Sequence, residues 1–85
     1  MSDVVSSSAL GRAIRERRAS LGLAAHELSA KSSFEAAYLE SVERGERNPS
    51  LRNLSRLASA LGMPLSALVT RAEQIDAQTR SGPTT

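Results

Sequence analysis

The fold is decided by residues 21–45, which read LGLAAHELSAKSSFEAAYLESVERG. The spacing of apolar residues predicts one short helix from about Ala25 to Lys31 and a second from about Glu35 to Glu43 or Arg44. A brief break at residues 32–34 separates them. The inward residues of the two helices are Leu28, Leu39 and Val42. Two short helices joined by a tight turn, with the second presented outward, have the dimensions of a helix-turn-helix.

Further helices are predicted on both sides of this pair. Upstream, Ser8 is a suitable N-cap for a helix that begins near Ala9 and ends at Gly22. Downstream, Ser50 follows a proline turn and caps a fourth helix, and Pro64 lies at the start of a fifth. Apolar residues at helical spacing face inward from these helices: Leu10, Ile14, Leu21, Leu51, Leu54, Leu57, Ala58, Leu61 and Leu68. Helices this short are unstable alone, so we expect a compact all-α domain in which five helices share one core.

The chain of 85 residues has room for one such core. We expect residues 1–8 to form a flexible N-terminal arm. Residues 9–72 would form the helix-turn-helix domain, with the motif itself at about 25–44. Residues 73–85 would extend the last helix and end in a disordered tail.

Composition excludes several classes of site. The chain has no cysteine, which rules out disulfides, thiolate metal ligands and cysteine nucleophiles. Its one histidine, His26, has no second histidine to share a metal with, and it forms no catalytic triad with a serine and an acid. No apolar run approaches the ~18–20 residues of a membrane span. We therefore expect a cytoplasmic protein with no enzyme activity, cofactor or metal.

The basic residues favour nucleic acid as a partner without establishing it. Ten of the eleven basic residues are arginine, although the formal net charge is only +2. A guanidinium group can grip a phosphate or the edge of a guanine with two hydrogen bonds. A GC-rich genome would also enrich arginine and alanine, so both explanations stay open.

The literal sequence carries a more specific signal. Several blocks resemble the Xre family of lambda-repressor-like DNA-binding domains, which occur in phage repressors and small bacterial regulators. These blocks are Leu21-Gly22-Leu23, Glu27-Leu28, Tyr38-Leu39, the run VERGERNPSL at residues 42–51, and Leu57-Ala58-Ser59-Ala60-Leu61-Gly62. The run at 42–51 is the most specific of them, and the resemblance covers roughly residues 9–70. The length and the Arg-Asn block are also similar to those of the controller proteins of restriction–modification systems.

The resemblance implies a homodimer on double-stranded DNA. The helix from Glu35 to Arg44 would enter the major groove, and two half-sites about one helical turn apart would match the two-fold axis. A structural ion pair between Arg18 and Glu43 would join the first helix to this recognition helix. The DNA-binding residues that the resemblance implies are Glu35, Ala36, Ala37, Tyr38, Glu40, Ser41, Arg44, Arg47 and Asn48. RNA polymerase is a further candidate partner, and the DNA-bound protein would lie in the nucleoid.

The recognition helix departs from the family pattern. Alanine offers a base only a methyl group, and residues 34–43 contain three acids and no basic residue where phosphates should lie. Ala24-Ala25 stand where the family commonly has serine and glutamine, and Ser33 stands where the turn often has glycine. Binding would then rest on Arg44, Arg47 and the backbone of the loop, with further contacts from Tyr38 and Ser41, or specificity would come from the shape of the DNA instead of direct base contact.

An alternative function stays open for the same reason. The acidic, alanine-rich recognition helix also supports a helix-turn-helix scaffold used for protein–protein interaction, antitoxin-like or anti-regulator, with weak or no DNA binding. Near the end of the chain, apolar residues exceed what a small monomer needs, which predicts a dimer interface. The interface residues are Leu65, Val69 and Ile75. The competing explanation is that all three complete the core of a single chain.

Overall fold

The computed structural model describes residues 5–81, which form five α-helices and no strand. The helices are α1 (Ser7–Ser20), α2 (Ala25–Ser32), α3 (Ala36–Glu43), α4 (Leu51–Ala60) and α5 (Leu65–Ser81). The all-α, five-helix prediction is confirmed. Residues 1–4 and 82–85, which hold part of the predicted arm and most of the predicted tail, lie outside the described range.

The first helix begins earlier than its sequence predicts. Its N-cap is Ser6, whose Oγ accepts a hydrogen bond from the Ala9 backbone N–H at 3.0 Å, so Ser8 lies within the helix and caps nothing. The same Ser6 donates through its hydroxyl and its backbone N–H to the carboxylate of Asp76 in α5, at 3.2 Å each. Three consecutive serines were equivalent as caps in the sequence. The contact with α5 distinguishes the first of them.

The last helix is a single unbroken element. It begins at Leu65, directly after Pro64, and continues through residue 73, where the sequence placed the start of an extension. Its residues pack along α1 and α4. Because Ile75 lies in the core at 3% exposure, the second half of α5 is held by packing.

The apolar stripe of α4 is shorter than predicted. Ser50 caps the helix as expected, because its Oγ accepts from the Asn53 backbone N–H at 3.1 Å. Leu51, however, is 69% exposed and does not reach the core. Cα–Cβ bonds in a helix tilt towards its N-terminus, so the side chain of the first residue points beyond the last layer of the core. Leu21, at the end of α1, is also more exposed than predicted.

Every helix contributes to the core, and leucine supplies most of its largest side chains. The largest fully buried side chains are Ile14, Leu28, Leu39, Leu57, Leu61, Leu68 and Val42. Helix α3 packs against both α1 and α2, while α2 also packs against α4. The recognition helix is therefore clamped from behind by two neighbours.

The close approach of α1 and α3 requires a glycine that sequence patterns did not single out. A Cβ at Gly11 would collide with the backbone carbonyl oxygens of Val42 and Glu43. These carbonyls belong to the last turn of α3 and have no room to move without shifting that helix. Gly11 therefore sets the distance between the two helices.

Candidate nucleic-acid interface

Helix α3 has one buried face and one exposed face. Leu39 and Val42 are fully buried, whereas Ala37, Glu40 and Arg44 are exposed. The exposed residues recur at intervals of about one helical turn, so they form one stripe along the helix. Two further predicted contact residues, Ala36 and Ser41, are half buried at the edges of this stripe.

The turn before α3 is held by serines. Ser33 adopts a left-handed conformation with φ of 64°, which non-glycine residues rarely adopt. Ser29 Oγ donates to the Phe34 carbonyl, and Ser32 Oγ donates to the Leu28 carbonyl at 2.8 Å. These bonds satisfy buried polar groups of the turn and fix the angle at which α3 leaves it.

The end of α3 is tied to α1 by an ion pair. Arg18 Nε and Nη2 donate to the two carboxylate oxygens of Glu43 at 2.7 Å each, and Arg18 Nη1 donates to the Leu23 carbonyl at 2.9 Å. Glu43 is only 8% exposed, so its charge depends on this partner. The hydrogen bonds from Arg18 to Glu43 raise the pKa of the guanidinium. The pair that the family resemblance implied is therefore present, in the two-bonded geometry that arginine favours.

Tyr38 sits at the centre of a small groove. The groove is lined by Glu35, Ala37, Tyr38, Ser41 and Arg47, with a cavity volume of about 300 Å³. The Tyr38 ring packs against Phe34 with 5.2 Å between ring centroids, and the Arg47 guanidinium lies over the Tyr38 ring, 5.8 Å from its centroid. Asn53 Nδ2 donates to the Tyr38 hydroxyl oxygen at 3.1 Å. Because that amide nitrogen can only donate, the phenol keeps its own proton for another acceptor.

Arg44 forms an ion pair with a neighbouring acid. Its Nε and Nη2 donate to the Glu46 carboxylate at 3.0 and 3.1 Å. Both side chains are more than half exposed. The hydrogen bonds from Arg44 lower the pKa of Glu46 and raise that of Arg44. Arg44 would have to exchange this carboxylate for a phosphate in order to bind DNA.

The start of α2 lacks the polar side chain that a helix N-terminus usually carries. Ala24 occupies the N-cap position and makes no side-chain hydrogen bond. Glu27 compensates in part, because its carboxylate accepts from the Ala24 backbone N–H at 2.7 Å. Free N–H groups at a helix N-terminus favour an anion.

Two residues of α4 make contacts in this region that were not predicted from the sequence. Asn53 orients Tyr38 from α4, and Arg56 donates to the Ser32 carbonyl at 2.8 Å while its guanidinium lies 4.1 Å from the Phe34 ring centroid. Both belong to the exposed face of α4 by their spacing, and no short-range signal links them to the turn. Asn48 is exposed, as its predicted role in binding would require.

The three predicted dimer residues divide into two kinds. Leu65 and Val69 are half buried within one chain and keep surface that a partner could cover. Ile75 is 3% exposed, because it packs in the core of the single chain. It offers no surface to a second copy, so we remove Ile75 from the proposed contact.

Residues 5–81 offer neither a metal site nor a membrane span. No group of three or more histidines, cysteines and acids within this range is placed to hold a metal ion. No helix of this part of the chain combines the length and the apolar character that a membrane crossing needs.

Curated proteins related to this chain are regulators. The sequence is 44% identical over 59 residues to y4dJ of Sinorhizobium fredii, an uncharacterised HTH-type transcriptional regulator, which covers 69% of this chain and 77% of that protein. It is 35% identical over 60 residues to the transcriptional regulator ClgR of Mycobacterium tuberculosis. That match covers 71% of this chain but only 54% of ClgR, so the chain spans about half of that relative.

Solved structures share the fold. The clp gene regulator ClgR of Corynebacterium glutamicum superposes with a TM-score of 0.85 at 31% identity, covering 88% of this chain and 80% of that one. The restriction-modification controller protein C.AhdI of Aeromonas hydrophila gives a TM-score of 0.71 at 37% identity, covering 73% of this chain and 94% of the controller.

The family assignment follows from the sequence match. The helix-turn-helix family HTH_3 matches residues 14–68, which is more than half of the chain and includes α2, the turn and α3. The protein therefore belongs to the Xre-like helix-turn-helix family, whose curated relatives named above are transcriptional regulators.

Proposed function

We propose that this protein is a transcriptional regulator that binds an operator in double-stranded DNA as a homodimer. Each α3 would enter the major groove of one half-site, and the two-fold axis of the dimer would match that of the operator. The observation that carries the proposal is the exposed stripe of α3, held from behind by the Arg18–Glu43 pair and flanked by the Tyr38–Arg47 groove.

The groove offers a match for the DNA backbone. The free proton of Tyr38 and the guanidinium of Arg47 can both reach a phosphate oxygen placed there. Ser41 already donates its hydroxyl proton to the Tyr38 carbonyl at 2.7 Å, so towards DNA it acts as an acceptor. Phosphate contacts of this kind fix the position of the recognition helix without reading sequence.

Few atoms of the exposed stripe can read bases. Ala37 can contact the methyl group of thymine, and Glu40 can accept from the amino group of cytosine. Glutamate in the groove also repels phosphate, so we expect specificity to depend strongly on DNA shape.

The acidic stripe supports one alternative function. Between Phe34 and Glu43 the chain carries no basic residue, which suits a protein partner better than DNA. In that case α3 would bind a basic surface, as in an antitoxin-like or anti-regulator protein. Under the DNA-binding proposal, by contrast, the protein would lie in the nucleoid when bound to its operator, and it could contact RNA polymerase from there.

One experiment separates the two functions. Sequences that bind the protein are selected from a random duplex pool, and the selected duplex is then titrated over a series of salt concentrations. The DNA-binding proposal expects a motif with two related half-sites and an affinity that falls as salt rises. If no motif emerges and random duplex does not bind either, the DNA-binding function is wrong and the protein-interaction alternative takes its place.

A further inference from the structure

A second charged surface lies between the ends of α2 and α4, and it shares no lining residue with the Tyr38–Arg47 groove. It consists of two adjoining depressions, with cavity volumes of about 470 and 330 Å³, which both include Lys31 and Ala60. We call it the Lys31 groove. Its lining residues are Arg17, Leu21, Leu23, Lys31, Ser32, Ser33, Arg56, Ser59, Ala60, Leu61 and Gly62.

The Lys31 groove carries positive charge along its whole length. Arg17, Lys31 and Arg56 line it, and neither depression is lined by an acidic residue. The formal net charge of the entire chain is only +2, so three basic residues on one groove are a marked concentration. An anionic partner is the electrostatic complement of such a surface.

The two arginines are held in place and still have donors to spare. Arg17 Nε donates to the Leu61 carbonyl at 3.0 Å, and Arg56 Nη2 donates to the Ser32 carbonyl at 2.8 Å. Each guanidinium has five N–H groups, so most of them remain available. The Phe34 ring under Arg56 further restricts that side chain. A preordered guanidinium loses less entropy when it binds a carboxylate.

Positive charges at helix C-terminal ends can also have a purely structural role, because they stabilise the helices. Arg17 and Arg56 lie beside the carbonyl-rich C-terminal ends of α4 and α2, which favours a positive charge. That role does not account for the rest of the groove. Within residues 5–81, no hydrogen bond or ion pair engages the side chain of Lys31, Ser33 or Ser59, so an ammonium and two hydroxyl groups remain available around the same depression.

The apolar end of the groove selects among anionic partners. Leu21 is 43% exposed and lies beside the half-buried Leu23. A DNA backbone offers these leucines no aliphatic surface, and a single phosphate ion would use only one of three spaced cations. An extended peptide that carries both carboxylates and an aliphatic side chain matches every part of the groove.

We propose that the Lys31 groove docks an acidic segment of a partner protein, with carboxylates at Arg17, Lys31 and Arg56 and an aliphatic residue at Leu21. The Lys31 groove is separate from the exposed stripe of α3 and from the Tyr38–Arg47 groove, so docking and DNA binding would be compatible. A regulator with two such faces can hold a second protein at its operator.

The probe for this proposal is a fluorescent peptide of about ten residues, which spans ~33 Å when extended, with alternating Glu and Leu. Fluorescence anisotropy measures its binding to the full chain at low and at physiological salt. Lys31→Glu is the test variant because the lysine is exposed and has no partner to lose. Arg15→Glu is the matched control, since it makes the same charge change at an exposed residue outside the groove. Circular dichroism checks that both variants are folded.

We expect Lys31→Glu to weaken peptide binding by about tenfold and Arg15→Glu to have less than about a twofold effect. We also expect a peptide with Ser in place of Leu to bind more weakly, and a selected duplex to bind together with the peptide. If both variants lose peptide affinity equally, the loss comes from the change in net charge, and the proposal is overturned. Displacement of the peptide by duplex, or no peptide binding at either salt concentration, would overturn it as well.

Discussion

At the scale of single residues, the two arginines that follow α3 differ in their contacts. Arg44 is held by Glu46, whereas Arg47 rests on the Tyr38 ring and has no acidic partner within the described residues. The two arginines look alike in the sequence. A DNA phosphate would have to displace the Glu46 carboxylate from Arg44, but it would displace no acidic group from Arg47. Arg47 is therefore the better candidate for a direct phosphate contact, and Glu46 acts as an internal competitor for Arg44.

Replacing Arg47 tests the phosphate contact. We expect Arg47→Ala to weaken binding to the selected duplex. We also expect the negative slope of log K against log salt to become shallower by ~0.9 for each phosphate that the arginine neutralises. Arg47→Lys is the control, because it keeps the charge and should keep most of the slope. An affinity loss in Arg47→Ala with an unchanged slope would assign the residue to base reading.

Removing the competitor should have the opposite effect. We expect Glu46→Gln to raise the affinity for duplex DNA by about two- to fivefold at low salt, because Arg44 no longer has to leave a carboxylate. Glu73→Gln makes the same charge change at an exposed position of α5 and should have a smaller effect. If both variants gain equally in titrations against one duplex, the gain comes from net charge and the pairing with Glu46 is irrelevant.

At the scale of elements, the position of α3 depends on its contacts with α1 and on the turn that leads into it. Gly11 lets the two helices approach, and the Arg18–Glu43 pair fixes the end of α3 against α1. The turn at Ser33 determines where α3 begins. These contacts control the orientation of α3, so a defect in them would displace its exposed stripe without changing any residue of that stripe.

The ion pair should contribute substantially to stability. We expect Arg18→Met, which keeps the aliphatic stem, to lower the free energy of unfolding by about 2–3 kcal/mol because Glu43 is left buried without a partner. Urea unfolding followed by circular dichroism measures the loss. Arg15→Met, at an exposed position of the same helix, is the control. If both variants lose the same amount, the pair contributes no more than an exposed arginine.

The left-handed turn residue offers a stabilising change. We expect Ser33→Gly to raise the free energy of unfolding by about 0.5–1 kcal/mol, since glycine adopts a φ of 64° without the steric cost that serine bears. Ser59→Gly, in the regular helix α4, should instead cost about 0.5 kcal/mol. Thermal unfolding of the two variants should therefore shift in opposite directions, and a lower melting temperature for Ser33→Gly would contradict this explanation.

At the scale of the whole molecule, the chain buries one core and leaves two surfaces with polar and charged groups that are available for binding. The recognition face combines the α3 stripe with the Tyr38–Arg47 groove. The Lys31 groove is lined by three basic residues and by no acidic one. Along α5, Leu65 and Val69 retain apolar surface that a second copy could cover, which would place two recognition helices on one operator.

The proposed dimer contact can be tested by adding a charge to it. We expect the protein to sediment as two protomers at micromolar concentration and Val69→Asp to weaken dimerisation by at least about tenfold. Gln78→Asp is the control, because at 3.6 residues per turn it lies on the opposite side of α5 and is exposed. A wild-type protein that remains a monomer both free and on DNA would rule out the homodimer.

The sequence by itself determined the number and order of the helices and the place of the helix-turn-helix. These features can be predicted from the sequence because their signals act within a few residues: apolar periodicity, glycines after helices and the cap at Ser50. The block at residues 42–51 carried the family, which no propensity argument would have supplied. The same block contains Glu43, and the family pattern predicted that Glu43 pairs with Arg18.

Only the tertiary structure decided which of several equivalent residues does what. It distinguished Ser6 from Ser8 through Asp76, placed Ile75 in the core, and gave Tyr38 its partner Asn53. Residues far apart in sequence meet in each of these contacts, so no local pattern encodes them. Packing five helices around one core brings such residues together, and burial or hydrogen bonding then selects among side chains that the sequence leaves equal.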